Sequence, residues 1–382
     1  MSFALTDTQV ALSEMVDDFA RREVAPHALA WDRDEVLPLD VLRRAAGLGL
    51  AGIYAGEEHG GTGLGRLEAV LIFAALARGC PTIAAFLSIH NMATWMIDRF
   101  GSPALRAELV PRLVSMELVA SYCLTEPGCG SDAAALTTRA VREGETYVVD
   151  GTKQFISGAG VSDLYLTMVR TGASGAAGIS ALVIPKDTPG LSFGAKERKM
   201  GWHAQPTRAV IFEGCRVPAG NRLGQEGEGF KFAMRGLDGG RLNIAACSLG
   251  GAEAALERTL AHMAQRKAFG RPLSGFQALQ FRLADMATEI EACRAMLYGA
   301  AAALDRGDAD ATVRSAMAKR FVTDRCLHVV DEALQLHGGY GYLAEYGMEK
   351  LVRDLRVHRI LEGTNEIMQV IIARSLVGEG GR

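Results

Sequence analysis

The amino-acid sequence predicts an α+β fold, mainly α, in three consecutive parts: an N-terminal helical domain (residues 1-120), a central antiparallel β domain (121-230) and a C-terminal helical domain (231-382). Three observations carry this. Apolar residues recur at helical spacing up to about residue 120 and again beyond about 230. Between them, short β-like runs alternate with Gly-rich turns. At 382 residues the chain also exceeds the roughly 250–300 residues over which one core keeps growing.

The helices come first. Thr6-x-x-Gln9 is a capping box, and Val10, Met15, Val16 and Phe19 follow at helix-compatible intervals. Pro26 and the stretch 31–38 interrupt. Helix resumes over 39–50, with Val41, Leu42, Ala45 and Ala46 on one side. A Gly-rich loop, 60–65, precedes helices over 67–77 and 83–100. Another opens at Ser102-Pro103, with Ser as the cap and Pro at the first position. In the middle part the β-like runs are 147–149, 164–169, 179–184 and 209–212. Glu143-Gly144, Asp150-Gly151, 172–178 and Pro189-Gly190 mark turns. Such close spacing predicts antiparallel pairing, because a parallel crossover needs about a dozen residues or more. Long periodic segments over 242–265, 276–304 and 310–336 have Ala-rich faces suited to the core of a bundle.

The composition is globular, 49% hydrophobic and 22% charged. A net charge of −3 argues against a broad nucleic-acid surface, which needs Lys and Arg to neutralise phosphates. Seven scattered cysteines without Cys-x-x-Cys predict reduced thiols in a cytosol-like compartment. The eight histidines form no His-Glu-x-x-His, and no metal is expected. No stretch reaches the roughly 18 apolar residues of a membrane span, and Met1 to Asp7 shows no secretory leader.

Several stretches carry possible chemistry. Tyr122-Cys123-Leu124-Thr125-Glu126-Pro127-Gly128-Cys129-Gly130-Ser131-Asp132 imitates a dinucleotide fingerprint through Gly128-x-Gly130-x-x-Ala133. That fingerprint must open a helix in a βαβ unit, whereas 136–150 is β-like, so a Rossmann site is rejected. An ordinary turn, or a loop offering Thr125, Ser131 and backbone N–H groups to a polar ligand, is what remains. In Lys153-Gln154-Phe155-Ile156-Ser157, alternation places Phe155 and Ser157 on one strand face. This is a half-buried strand, or a stacking surface beside a hydroxyl for a planar heterocycle. Arg266, in Gln265-Arg266-Lys267-Ala268-Phe269-Gly270, complements a helix C-terminus or meets a diphosphate. Gln335-Leu336-His337-Gly338-Gly339 ends a helix, with glycines that cap it or admit a bound group.

Near the end lies Arg356-Val357-His358-Arg359-Ile360-Leu361-Glu362-Gly363-Thr364-Asn365-Glu366-Ile367-Met368. Taken alone, Glu362 reads as a carboxylate complementing the dipole of the next helix. Held against the apolar run Ile360, Leu361, Ile367, Val370, Ile371 and Leu376, it would instead lose solvation and rise in pKa. That is what a general base near pH 7 requires. Gly363 would leave room for a ligand near the backbone.

Taken together and in this order, these motifs resemble the acyl-CoA dehydrogenase flavoprotein family over nearly the whole chain, Thr6 to Arg374. Within it, Ser88-Ile89-His90-Asn91-Met92, Trp95-Met96-Ile97-Asp98, Met200-Gly201-Trp202, 205–213 and 360–363 are similar to the branch acting on isobutyryl-CoA in valine breakdown. The resemblance implies a C-terminal four-helix-bundle domain, FAD and a homotetramer. It implies that Glu362 takes the α-proton of an acyl-CoA, that the β-hydride passes to flavin N5, and that isobutyryl-CoA becomes methacrylyl-CoA. Electrons would leave through electron-transfer flavoprotein.

The same resemblance assigns the flavin contacts. Tyr122, Cys123, Leu124, Thr125, Gly130 and Ser131 would line it with Phe155, Ile156 and Ser157. Arg266, Phe276, Gln277, Gln335, Leu336, His337, Gly338 and Gly339 would hold its adenine-dinucleotide end across a subunit interface, and Thr364, Asn365 and Glu366 would touch it too. Ser131, Asp238, Gly239, Gly240, Arg241 and Arg374 would meet the substrate. Phe155 and Ser157 depart from a frequent Trp and Thr, and keep the aromatic face and the hydroxyl. Another branch places its base where this chain has Gly240, which leaves Glu362 as the carboxylate. The alternatives are a dehydrogenase for 2-methylbutyryl- or butyryl-CoA, an acyl-CoA oxidase, a flavin monooxygenase and a non-catalytic CoA-binding scaffold. The expected compartment is a bacterial cytoplasm or, for a mature protein, the mitochondrial matrix.

Overall fold

The computed structural model of the protein describes residues 5–378. The leader reading rests partly on residues 1–4, outside the described residues. Helix α1 (Asp7–Phe19) begins at the capping box. Gln9 N donates to Thr6 Oγ1 at 3.2 Å and Thr6 N to Gln9 Oε1 at 3.0 Å. Its apolar stripe is narrower than the spacing suggests, because Val16 is buried while Val10 and Met15 are exposed. Pro26 does not break the chain's helical course. It sits in the first turn of a 3-10 segment (Ala25–His27), where its missing N–H costs nothing. A π turn (Ala20–Val24) precedes that segment and α2 (Ala28–Asp34) follows it. Helix α3 (Leu39–Gly47) buries Val41, Leu42, Ala45 and Ala46 as their spacing predicts. Helices α4 (Arg66–Gly79) and α5 (Pro81–Phe100) are apolar on most faces and correspondingly buried. Helix α6 (Pro103–Val114) is capped by Ser102 Oγ, which accepts from Leu105 N at 3.2 Å.

The strands are β1 (Ala120–Cys123), β2 (Arg139–Glu143), β3 (Thr146–Ser157), β4 (Leu164–Arg170), β5 (Ile179–Pro185), β6 (Leu191–Phe193), β7 (Thr207–Pro218) and β8 (Arg222–Leu223). They form one sheet in the order β6-β7-β3-β2-β4-β5-β8, with β1 also beside β4. Most pairs are antiparallel, but β1 runs parallel to β4, with Tyr122 opposite Leu166. Strand β2 also meets β4 in parallel at Arg139 and Arg170. Spacing between successive runs hides this, because the chain between β1 and β4 is long enough for a crossover.

Helix α7 (Gly229–Gln265) starts earlier than its periodic stretch. After the hairpin β9 (Lys267–Ala268) and β10 (Arg271–Pro272) come α8 (Gln277–Arg306), α9 (Ala311–His337), α10 (Gly339–Tyr342), α11 (Met348–Arg356) and α12 (Asn365–Val377). Helices α7, α8 and α9 pack together, and α12 lies on α9. Their interior is largely small, with Ala245, Ala246, Ala252, Ala301 and Ala333 fully buried. Small residues let helix backbones approach closely. Helix α4 also packs on α7, so the N- and C-terminal helices share one continuous core. A second core lies between α5, α6 and the sheet, and a third on the sheet's other face.

Candidate active site

The turn before α12 places Glu362. Glu362 and Gly363 both lie in the left-handed region, with φ of 57° and 87°. That conformation is free for glycine but costs about 1–2 kcal/mol for a residue with a Cβ. The turn is held from outside. Lys319 Nζ on α9 donates to Gly363 O at 2.7 Å and to Asn365 Oδ1 at 2.9 Å. Arg241 Nε on α7 donates to Glu362 O at 3.4 Å. Thr364 Oγ1 caps α12 by accepting from Ile367 N at 3.3 Å. A Cβ on Gly363 would sit 2.8 Å from Met368 Cε, so glycine suits both the left-handed turn and its packing here.

The turn aims the carboxylate at α7. Glu362 Oε2 is buried without a hydrogen-bond partner. A Cβ on Gly240 would lie 2.5 Å from that oxygen. Burial pushes the carboxyl up to about 7, against the opposing pull of Arg241 and Lys319. The apolar run around it supplies only part of this burial, since Leu361 packs against the core while other members face outward. Ile360, Val370 and Leu376 are 53%, 39% and 75% exposed, because α12 lies along the outside of α9 while Glu362 turns inward.

Tyr122 on β1 approaches from the sheet. Its Oη is buried and unpartnered. Burial pushes the phenol up, and the charge of Glu362 pushes the same way. Tyr54 is a further neighbour that no motif singles out. Its Oη accepts from Asn243 Nδ2 at 3.0 Å, and the Arg66 guanidinium lies 4.0 Å from its ring centre. Tyr54 and Arg66 lie near each other in the chain but Asn243 is far along it on α7, so only folding brings the three together.

Two of the motifs are stitched together. Lys153 Nζ, fully buried, donates to Glu126 Oε1 at 2.8 Å and to Leu124 O at 3.1 Å. Glu126 also accepts from Thr137 N at 2.7 Å and Thr138 N at 2.9 Å. Gln154 N donates to Thr125 O at 2.8 Å. A bulge in β3 between Lys153 and Ile156 puts Phe155 at a φ of 59° and leaves its ring 62% exposed. Ile156 points into the core and Ser157 is half-buried, its carbonyl accepting from Ser121 Oγ at 2.6 Å. The side chains of Cys123 and Ile156 belong to that core, so any ligand contact from them is through the main chain. Gly130 and Ser131 are exposed on the loop.

Asp238, Gly239, Gly240 and Arg241 share one turn of α7. Arg241 Nη1 meets Asp238 Oδ1 at 2.7 Å, and Asp238 Oδ2 accepts from Thr312 Oγ1 at 2.9 Å. Arg241 is buried beside the Glu362 turn rather than free in solvent. Arg374 is exposed in the last turn of α12.

The remaining residues form a second cluster. Arg266 caps the C-terminus of α7, and Phe276 and Gln277 open α8. The Arg266 guanidinium lies 5.4 Å from the Tyr340 ring centre, and His337 stacks on His262 at 4.4 Å. Gln335, Gly338 and Gly339 are exposed there, whereas Leu336 and His337 are buried. Arg266 follows Gly240 by 26 residues, roughly 39 Å at 1.5 Å per residue of helix. One subunit therefore does not bring this cluster to Glu362. Beside Glu362, Asn365 is buried with its side chain engaged by Lys319, Thr323 and Asp324, and Glu366 is exposed.

Models of the acyl-CoA dehydrogenase N-terminal, middle and C-terminal domains match residues 6–117, 121–215 and 227–377. A mitochondrial isobutyryl-CoA dehydrogenase of Bos taurus is 53% identical over 378 residues, covering 99% of this chain and 91% of that one. Its counterpart in Dictyostelium discoideum is 54% identical over 376 residues, covering 98% and 90%. The solved structure of butyryl-CoA dehydrogenase from Megasphaera elsdenii matches with a TM-score of 0.95 at 37% identity, over 99% of this chain and 100% of that one.

Proposed function

The chain belongs to the acyl-CoA dehydrogenase family of FAD-dependent oxidoreductases, and from that premise we propose that it oxidises isobutyryl-CoA to methacrylyl-CoA with Glu362 as the α-proton base. The Glu362 carboxylate carries this reading. It is buried, unpartnered at Oε2, aimed at α7 beside Gly240 and raised to about 7. A general base near neutral pH needs such a group. Relatives at 53% and 54% identity named isobutyryl-CoA dehydrogenase support the acyl group.

The residues present fit FAD. An exposed Phe155 ring beside Ser157, a nearby loop carrying Thr125 and Ser131, and the orphaned Tyr122 Oη offer a stacking face and polar partners. When bound, FAD supplies the acceptor for the hydride that leaves the β-carbon. The chain does the rest. Glu362 takes the α-proton on its carboxylate, and its backbone N–H is the candidate donor to the thioester oxygen. Asp238 to Arg241 set the substrate against the base, with Ser131 and Arg374 as outer contacts. Arg266, Phe276, Gln277 and 335–339 would hold the adenine end of FAD for a second subunit. This fits the roughly 39 Å between Arg266 and Gly240 along α7, and a homotetramer is the assembly proposed. The three segments 1-120, 121-230 and 231-382 are the proposed domains. Electron-transfer flavoprotein is the proposed acceptor of the electrons. No helix among the described residues is long and apolar enough to cross a membrane.

Butyryl-CoA is the second candidate substrate, supported by the likeness to the Megasphaera enzyme. Anaerobic flavin bleaching with isobutyryl-, 2-methylbutyryl-, butyryl- and isovaleryl-CoA decides. Isobutyryl-CoA should bleach the holoenzyme fastest, and Glu362→Gln should bind FAD and acyl-CoA without bleaching. Faster reduction by another acyl-CoA overturns the substrate, and bleaching of Glu362→Gln at near the parent rate overturns the base.

A further inference from the structure

Lys319 is fully buried on α9. Its ammonium group is bound by two neutral acceptors, Gly363 O at 2.7 Å and Asn365 Oδ1 at 2.9 Å. Among the described residues it forms no ion pair. A buried cation without a carboxylate partner costs several kcal/mol, so its place calls for a reason. Both acceptors belong to the turn that carries Glu362. Asn365 is tied back to α9 as well, through Nδ2 to Thr323 Oγ1 at 3.1 Å and to Asp324 Oδ1 at 3.0 Å. The left-handed pair Glu362 and Gly363 is thus pinned to α9 on its downstream side.

We infer that Lys319 is a positioning residue for the base. Its ammonium group fixes the Glu362–Gly363 turn and keeps a positive charge behind the Glu362 carboxylate. This rests on the assignment of Glu362 as the base. The groups that bear on that carboxylate come from every element around it: Arg241 and Cys247 from α7, Lys319 from α9, Tyr122 from β1 and Tyr54 from the loop before α4. Only Arg241 and Lys319 favour the anion. Arg241 is already met by Asp238 at 2.7 Å, which leaves Lys319 as the less compensated charge. The coupling runs both ways. Burial brings Lys319 down to about 8, and among the charges acting on it Glu362 is the foremost that raises it. The two cations keep part of the base ionised at neutral pH, against a burial that favours its neutral form.

The test is the pH profile of anaerobic bleaching of the FAD-loaded enzyme by isobutyryl-CoA. In Lys319→Met the acid limb should move up by about one pH unit, a roughly ten-fold lower rate at the acid end. Lys319→Arg keeps the charge and should leave the midpoint in place. A rate lowered equally at every pH in Lys319→Met, with the midpoint unmoved, overturns the inference. Where Lys319→Met does not assemble with FAD, Asn365→Asp serves instead. It sets an anion against the Lys319 ammonium and should move the limb upward, and an unmoved limb overturns the inference again. Glu362→Gln separates the two assignments. If it bleaches, the base reading itself fails. If it does not and the limb stands still in the Lys319 variant, only the role of Lys319 fails.

Discussion

Glu362 is costly twice over. Its φ of 57° is unfavourable for a residue with a Cβ, and its carboxyl is raised to about 7 from an ordinary 4.5. A raised acid is favoured neutral in the folded state. The penalty is therefore absent below the unfolded value of 4.5, builds as pH rises toward 7, and is complete above it, at up to roughly 3 kcal/mol. Gln at this position has no charge to bury. Glu362→Gln should melt at a higher temperature than the parent at pH 8, with the gain shrinking toward pH 5. An equal gain at both pH values, read by calorimetry, would rule out this origin. The residue itself was legible as part of a motif, but its surroundings were not. The sequence neighbours Ile360 and Val370 are exposed, and the carboxylate faces Gly240 on α7, far away in the chain.

At the scale of elements, the wall proposed for the flavin depends on one buried pair. Burial alone would raise Glu126, but Lys153 and the donors of Thr137 and Thr138 bring it down to about 2. That contribution is fully present above the ordinary 4.5 and fades as pH falls toward 2. Removing one partner leaves the other charge buried alone, at about 3–5 kcal/mol. Lys153→Met should lower the melting temperature and, because Leu124, Thr125 and Phe155 hang from the same contacts, release FAD during gel filtration. Retained FAD with an unchanged melting temperature would contradict this. Most helices were readable, because α3, α4, α5 and α8 each bury what their spacing marks. The β3 bulge was not, since period-two alternation assumes an unbroken pleat and here an extra residue is needed to present Phe155. The parallel pairing of β1 with β4 was equally hidden, since it joins segments separated by the β2–β3 hairpin.

For the whole molecule, α7 is the ruler. It carries Asp238 to Arg241, the turn proposed for the substrate, near its start and Arg266 at its end, roughly 39 Å apart along the axis. The proposed sharing of the site between subunits makes a distinctive prediction. Glu362→Gln and Arg266→Ala subunits should each be inactive or poorly loaded as pure assemblies. Co-expressed, they should regain activity, because some sites then join an intact Glu362 with an intact Arg266 from a neighbour. No recovery in mixed assemblies would argue for a site complete within one chain. The three-part division was legible from texture alone. The single core joining the first and last parts was not, because hydrophobic spacing reports which face of a helix is buried and not against which partner.

The 2.5 Å between the Gly240 Cβ position and Glu362 Oε2 has a meaning for descent as well as for chemistry. Two places in the chain, 122 residues apart, open onto one point in space. A carboxylate arriving at 240 while the one at 362 is lost would leave the proton's destination almost unmoved. With Glu362 as the proposed base, what such an exchange would conserve is a point in three dimensions. The carboxylate's sequence number would be free to pass between α7 and the turn before α12.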